Sequence, residues 1–236
     1  MASTSKAVYP IAENYQITPA PGTFTDYASH TGTPVILDNG ATHLRAGWAT
    51  DPAPRLVTAN VGARYRDRKN NETYLLAGTE AFVDASSRSG VRSAFEADVV
   101  CNFDQMEHML DYAFVKLGVD GDSVDHDVVM TEGLCNPQYS RKGRLLALGF
   151  TVVGVDGLTE RVSVDFLEMN ELLFETYGVP SVAYGIDSLF AFAHSNQPAT
   201  ATAPFAADGL VVSSSTSATH VIPVLNGKAV QSASKK

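Results

Sequence analysis

Apolar and polar positions alternate along the chain in blocks that read first as strands, then as strands and helices in turn. Pro34-Val35-Ile36-Leu37 is a buried-strand run that halts at Asp38-Asn39-Gly40, where Asn-Gly signals a tight turn. His43 to Trp48 supplies the return strand, so residues 35–48 are predicted to form a β-hairpin. Leu56-Val57-Thr58 and Tyr74 to Ala77 are further candidate strands, and Gly78-Thr79-Glu80 opens a short helix. Met106, Met109, Leu110, Ala113, Phe114 and Leu117 recur at helical spacing, with Asp104 as the expected N-cap, Glu107 at the capping-box distance and Gly118 as the stop. That stripe is core packing. Val128-Val129-Met130 is a second buried strand leading into Thr131-Glu132. Glu168 to Tyr177 reads as a helix with Met169, Leu172, Leu173 and Thr176 on one face, closed by Gly178 and Pro180. Val182-Ala183-Tyr184 is a third strand, Ile186 to His194 a helix, and Leu210 to Val212 with Thr219 to Val224 a final hairpin.

Two stretches carry no such pattern. Residues 1–33, rich in Ser, Thr, Pro and Gly, are expected to form a flexible N-terminal arm. Residues 195–208 are a low-complexity linker or long loop. Strands alternating with helices, and antiparallel hairpins at both ends, predict an α/β layered domain over residues 34–236, with a small subdomain over 52–95.

Composition narrows the function classes. A hydrophobic content of 44% supplies a core, and a net charge of −9 argues against this chain gripping a DNA backbone directly. Docking on basic surfaces such as histones remains compatible with that charge. Neither Cys101 nor Cys135 sits in a Cys/His cluster, so no zinc site is expected and a reducing compartment fits best. No apolar run follows the N-terminus and none is long enough to span a bilayer, so a soluble intracellular protein with no membrane association is expected. The densest basic stretch, Arg64 to Lys69, reads as a solvated loop.

Four motifs, in order, resemble the actin family. Leu37 to Ala49, containing Asp38-Asn39-Gly40-Ala41-Thr42, is similar to the first phosphate loop of actins. Thr131-Glu132 with Asn136-Pro137 and Ser140-Arg141-Lys142 is similar to the family's middle signature, and Glu171 to Pro180 follows in the same order. Thr219 to Gly227 resembles the second phosphate hairpin. Four ordered matches are far more specific than a lone Asp-Asn-Gly. The resemblance implies an actin-like ATPase (ribonuclease H-like) fold, first lobe only, since the chain stops after the second hairpin.

Narrower runs, among them Val182 to Phe190 and Cys135 to Arg141, are similar to actin-related proteins of INO-eighty-type chromatin remodellers. For this chain the resemblance implies a nuclear structural subunit that couples a motor to nucleosomes, with other remodeller subunits and histones as partners. It also implies ATP or ADP with magnesium as cofactor.

The same resemblance assigns the candidate site. Backbone amides around Asn39, Gly40, Ala41 and Thr42 face the phosphates, Arg45 takes the basic phosphate-contact position, and Asp38 holds a water of hydrated magnesium. An ordinary hairpin with an Asx turn is the plain alternative. Where actins carry Asp-Ser-Gly-Asp-Gly, this chain reads Ser213-Ser214-Ser215-Thr216-Ser217, losing both acids and both glycines. Asp187 matches the family's water-orienting glutamine. As an ionised carboxylate it is repelled by roughly 4 kcal/mol from a charge about 4 Å away at an effective dielectric near 20. Asp187 is alternatively the N-cap of its own helix. His220 matches the histidine near the attacking water. A degenerate site, with nucleotide bound but little hydrolysed, is therefore expected ahead of an active ATPase using Asp187 and His220.

Residues 143–167 depart from the family, where Ser140-Arg141-Lys142 runs almost directly into the helix near Glu168. The inserted stretch is apolar, rich in β-branched residues and poor in turn punctuation, and together with the departure from the family this leads to the expectation that it is a translated, unspliced intron. Transcript reads are expected to join the codons of Lys142 and Glu168 directly; consistent retention of the stretch defeats this reading.

Overall fold

The computed structural model describes residues 22–82, 90–119, 121–133, 152–154, 164–196 and 207–235. Residues 1–21, the Asn136-Pro137 and Ser140–Lys142 motifs, Cys135, most of the 143–167 stretch and the linker over 197–206 lie outside them.

Strands β1 (Val35–Asn39), β2 (His43–Trp48) and β3 (Leu56–Ala59) form an antiparallel meander. β4 (Val61–Asp67), β5 (Glu72–Ala77) and β6 (Val91–Ser93) form a separate small sheet in the order β5-β4-β6, and β7 (Phe95–Glu96) with β8 (Val99–Val100) a short hairpin. Helix α1 (Phe103–Leu117) follows, then β9 (Val128–Glu132), β10 (Val152–Gly154), α2 (Val164–Glu171), β11 (Val182–Ile186) and α3 (Asp187–Ser195). β12 (Gly209–Ser214), β13 (Thr219–Leu225) and β14 (Lys228–Ala229) close the chain as a second three-stranded sheet.

The main sheet has the order β10-β11-β9-β1-β2-β3. β1, β9, β11 and β10 run parallel, and the β1–β2–β3 meander completes the sheet antiparallel. Parallel strands are buried on both faces, which explains the unbroken apolar runs at Val35–Leu37 and Val128–Met130. The six-residue stripe of α1 lands on this sheet, and every member of it is buried. Gly118 ends the helix in the left-handed region (φ 92°), and a Cβ there would also meet the Phe24 carbonyl at 2.3 Å.

Several expectations need correction. The N-cap of α1 is Asn102, whose Oδ1 accepts the Gln105 N–H at 2.9 Å; Asp104 lies inside the first turn. The Asn-Gly pair is not the tip of the first hairpin. Asn39 still pairs with Leu44, and neither Asn39 nor Gly40 adopts positive φ, so Ala41-Thr42 form the tip. Arg64 to Asp67 belong to β4, paired to β5, rather than to a loop. The helix after Glu168 starts earlier, at Val164, and passes into a π-turn over Leu172–Thr176 before Gly178. Within the inserted stretch, Val152–Gly154 pairs with β11 at the sheet edge.

The expected arm over 1–33 is also corrected for its described part. Tyr27–His30 forms a 3-10 turn folded back on the first hairpin, with His30 stacked on Trp48 at 4.4 Å and Tyr27 edge-on to His126. Arg55 fixes it, reaching both carboxylate oxygens of Asp26 (2.6 and 2.7 Å) and Asp51 Oδ2 (2.6 Å). Aromatic stacking and a bidentate ion pair, neither of them visible as periodicity, override the loop-like composition.

The Arg55 hydrogen bonds, followed by the His30 contact, hold the Asp26 carboxyl down at about 2. A depressed folded value stabilises the fold above the unfolded carboxyl value of ~3.9 and loses that contribution as pH falls towards the folded one. Denaturant midpoints measured across that acid window are expected to drop for the wild type, and Asp26→Asn is expected to flatten that part of the profile.

Candidate functional site: two hairpin turns

Parallel register delivers the first group of residues. Leu37 pairs with Met130 and Glu132 with Ile186, so the next residues out, Asp38, Thr131 and Asp187, emerge from the same C-terminal edge of β1, β9 and β11. Such an edge is where open α/β sheets place ligands.

At this edge the first turn is held by a dense set of bonds. The Asn39 N–H donates to Thr131 Oγ1 (3.2 Å), and that hydroxyl donates to Asp38 Oδ1 (2.8 Å). Cross-strand pairing of Asp38 with Arg45 puts the guanidinium Nη1 2.7 Å from Asp38 Oδ2. The Gly40 N–H closes the turn on the His43 carbonyl at 3.0 Å. Asn60, fully buried, braces it from behind: its Nδ2 donates to Asn39 Oδ1 and to the Gly40 carbonyl, both at 2.8 Å, and its N–H to the Thr42 carbonyl at 2.9 Å.

Thr131 and Asn60 are absent from the residues assigned from sequence. Thr131 stood inside a recognised motif without a role. Asn60 lies at the join of β3 and β4, and nothing in its neighbours' pattern marks it.

The second turn joins β12 to β13, pairing Ser213 with His220 and Ser214 with Thr219. His220 is buried, and its Nε2 has no hydrogen-bond partner among the described residues. Ser214 Oγ lies 3.0 Å from Thr219 Oγ1, and the Ser215 N–H closes the turn on the Ala218 carbonyl at 2.8 Å. Thr216 sits exposed at the tip. The inner face of this sheet, Ile222 and Val224, packs with Ile186, Leu189 and Phe192 at the start of α3. Asp187 is exposed as the first residue of α3, and its Oδ1 accepts the Ser188 N–H at 2.5 Å and the Ser188 hydroxyl at 2.9 Å. The helix N-cap is Ile186, so Asp187 occupies the first turn without capping it from outside.

The first turn fits a phosphate in part. Ala41 and Thr42 stand at an open tip beside Arg45, although Asp38 and Arg45 neutralise each other and Asp38 meets magnesium only by sharing its oxygens. The second turn does not fit. It offers no carboxylate from Ser213 to Thr216, and its interior is occupied by its own hydroxyls. Among the described residues no His, Cys, Asp and Glu group is arranged to hold a metal ion, and no helix is long and apolar enough to cross a membrane. An open depression of about 490 Å³ beside the start of α1 carries Glu96, Asp104 and Glu168, a charge that disfavours polyphosphate.

A sheet with a hairpin turn at its parallel edge and a second hairpin turn packed against the following helix defines the first lobe of an actin-type fold. The chain belongs to the actin family, whose model matches residues 29–155. It is 41% identical to the actin-like protein arp5 of Schizosaccharomyces pombe over 203 residues, which are 86% of this chain and 23% of that relative. It is 34% identical to actin-related protein 5 of Arabidopsis thaliana over 220 residues (90% of this chain, 26% of that one). Against actin-related protein 5 of Homo sapiens it is 38% identical over 201 residues, covering 83% of this chain and 28% of the human protein. The chain thus spans about a quarter of the length of these relatives.

Asn60→Ala leaves the Asn39 and Gly40 oxygens without their buried donor. It is expected to lower unfolding free energy by about 1–3 kcal/mol in chemical denaturation, and the exposed Thr42→Ala by a few tenths at most.

Proposed function

We propose that this chain is the nucleotide-side lobe of a structural actin-related subunit in an INO-eighty-type chromatin remodeller, acting in the nucleus to couple the motor to nucleosomes. Other remodeller subunits and histone surfaces are its partners, reached through protein contacts rather than direct DNA binding. ATP or ADP, with magnesium, is held for shape at the first turn and hydrolysed little. The likeness to actin-related protein 5 of several organisms supports the first part. The observation that carries the second is the all-hydroxyl turn Ser213–Ser217, which supplies no second carboxylate for magnesium and no open amide cradle for a γ-phosphate.

An active ATPase is the competing reading. The buried Nε2 of His220, without a hydrogen-bond partner among the described residues, favours it. Asp187 would then have to orient water while already accepting two hydrogen bonds from Ser188.

Two measurements separate the readings. Tagged protein expressed at native level is expected to co-purify with remodeller subunits from nuclear extract, and the purified protein to release phosphate at background rate. Turnover well above background that Asp187→Ala abolishes reverses the ranking, and a uniformly cytoplasmic protein without remodeller subunits removes the structural reading.

A further inference from the structure

The two turns share one construction, and the second has filled its own interior. In each, the four residues beyond the last cross-strand pair, Asn39 with Leu44 and Ser214 with Thr219, are closed by an N–H donating to the carbonyl three residues on, Gly40 to His43 and Ser215 to Ala218. Gly40 has no side chain to place inside its turn, and a Cβ there would stand only 3.1 Å from the His43 carbonyl. At the matching position Ser215 places its hydroxyl inside. Ser215 Oγ accepts the N–H groups of Ser217 (3.4 Å) and Ala218 (3.3 Å), two successive amides aimed at one point. Successive amides converging in this way make an anion seat. Here a neutral oxygen of the chain already sits in it.

The filled turn is also tied to the β7–β8 hairpin. Ser217 Oγ donates to Asp98 Oδ1, and Ser215 Oγ stands 3.5 Å from the same oxygen and 3.3 Å from Ser217 Oγ. Asp98 lies in the tight connection between β7 and β8, behind Ala97, an alanine held in the left-handed region at φ 57°. Beyond β8, the Cys101 and Asn102 N–H groups both donate to the Ala94 carbonyl, and Asn102 caps α1. Met106 of α1 then touches the first turn, its sulfur 3.5 Å from Asn39 Nδ2. Asp98 is therefore anchored to the scaffold that carries the first turn. Its negative charge lies beside the seat, where it opposes any phosphate that would displace the Ser215 hydroxyl.

We propose that Asp98 and Ser217 form a latch holding the second turn on the β7–β8 hairpin in place of a bound polyphosphate, with Ser215 filling the anion seat, so that the turn is ordered without nucleotide. Asp98 is a positioning residue in this arrangement. The inference goes beyond the proposed subunit role and needs no remodeller partner to test.

The test is backbone ¹⁵N relaxation on the nucleotide-free chain, compared with Asp98→Ala and with Ser217→Ala, which breaks the same bond from the exposed side. In the wild type, order parameters at Ser215–Ala218 are expected near the value of about 0.85 typical of rigid backbone, unchanged on adding Mg·ATP, and in both variants to fall below about 0.6. Signals of Val35–Trp48 remain unchanged in the variants and report that the fold is intact; if Asp98→Ala fails that control, Ser217→Ala decides. A wild-type turn that is mobile without nucleotide, whether or not Mg·ATP later orders it, overturns the latch. So does a turn that stays rigid in a folded variant.

Discussion

Strand β1 is gripped from both sides, by β9 in parallel and by β2 antiparallel, and this double pairing governs the site. The parallel side fixes Asp38 next to Thr131 at the strand ends; the antiparallel side fixes it opposite Arg45. Val35 and Leu37, with no exposed surface, hold β1 in register, because a one-residue shift would move both to the less covered face that Ile36 occupies. The position of the first hairpin turn thus follows from burial just upstream of it.

The electrostatics of the site are nearly closed without any ligand. Asp38 has a guanidinium and a hydroxyl, Asp187 has the start of its own helix, and Asp98 has the serine hydroxyls of the second turn. An ATPase site normally leaves such acids to a hydrated cation and presents empty amides to the phosphates. In this chain hydroxyls stand where glycine and carboxylate belong. The hairpin keeps its register and its packing against α3, and its turn carries hydroxyls and no carboxylate from Ser213 to Ser217.

The elements legible in the sequence were those whose stabilisation is periodic. The α1 stripe, the apolar runs of β1 and β9 and the β12–β13 hairpin could be read because burial repeats at a fixed spacing. Boundaries and caps were less legible, since they depend on which of several similar side chains reaches a backbone N–H. Asn102 and Asp104 are both good caps by type, and only the entry angle of the chain from β8 makes Asn102 the one that bonds Gln105. Asn39-Gly40 looked like a turn tip, yet Asn60 and Thr131 hold Asn39 in the strand and push the tip onward to Ala41-Thr42.

By itself, the sequence determined the α/β class, the order of the two hairpin turns and the absence of acids from the second. Each of these is carried by residue type at a fixed position, which no packing changes. Tertiary structure alone decided that Asn60 braces the first turn, that Arg55 folds residues 22–33 onto the core, and that Asp98 meets Ser217 across more than a hundred residues. Those contacts join segments far apart in the chain. Their strength depends on distance and burial in three dimensions, for which a linear pattern carries no signal.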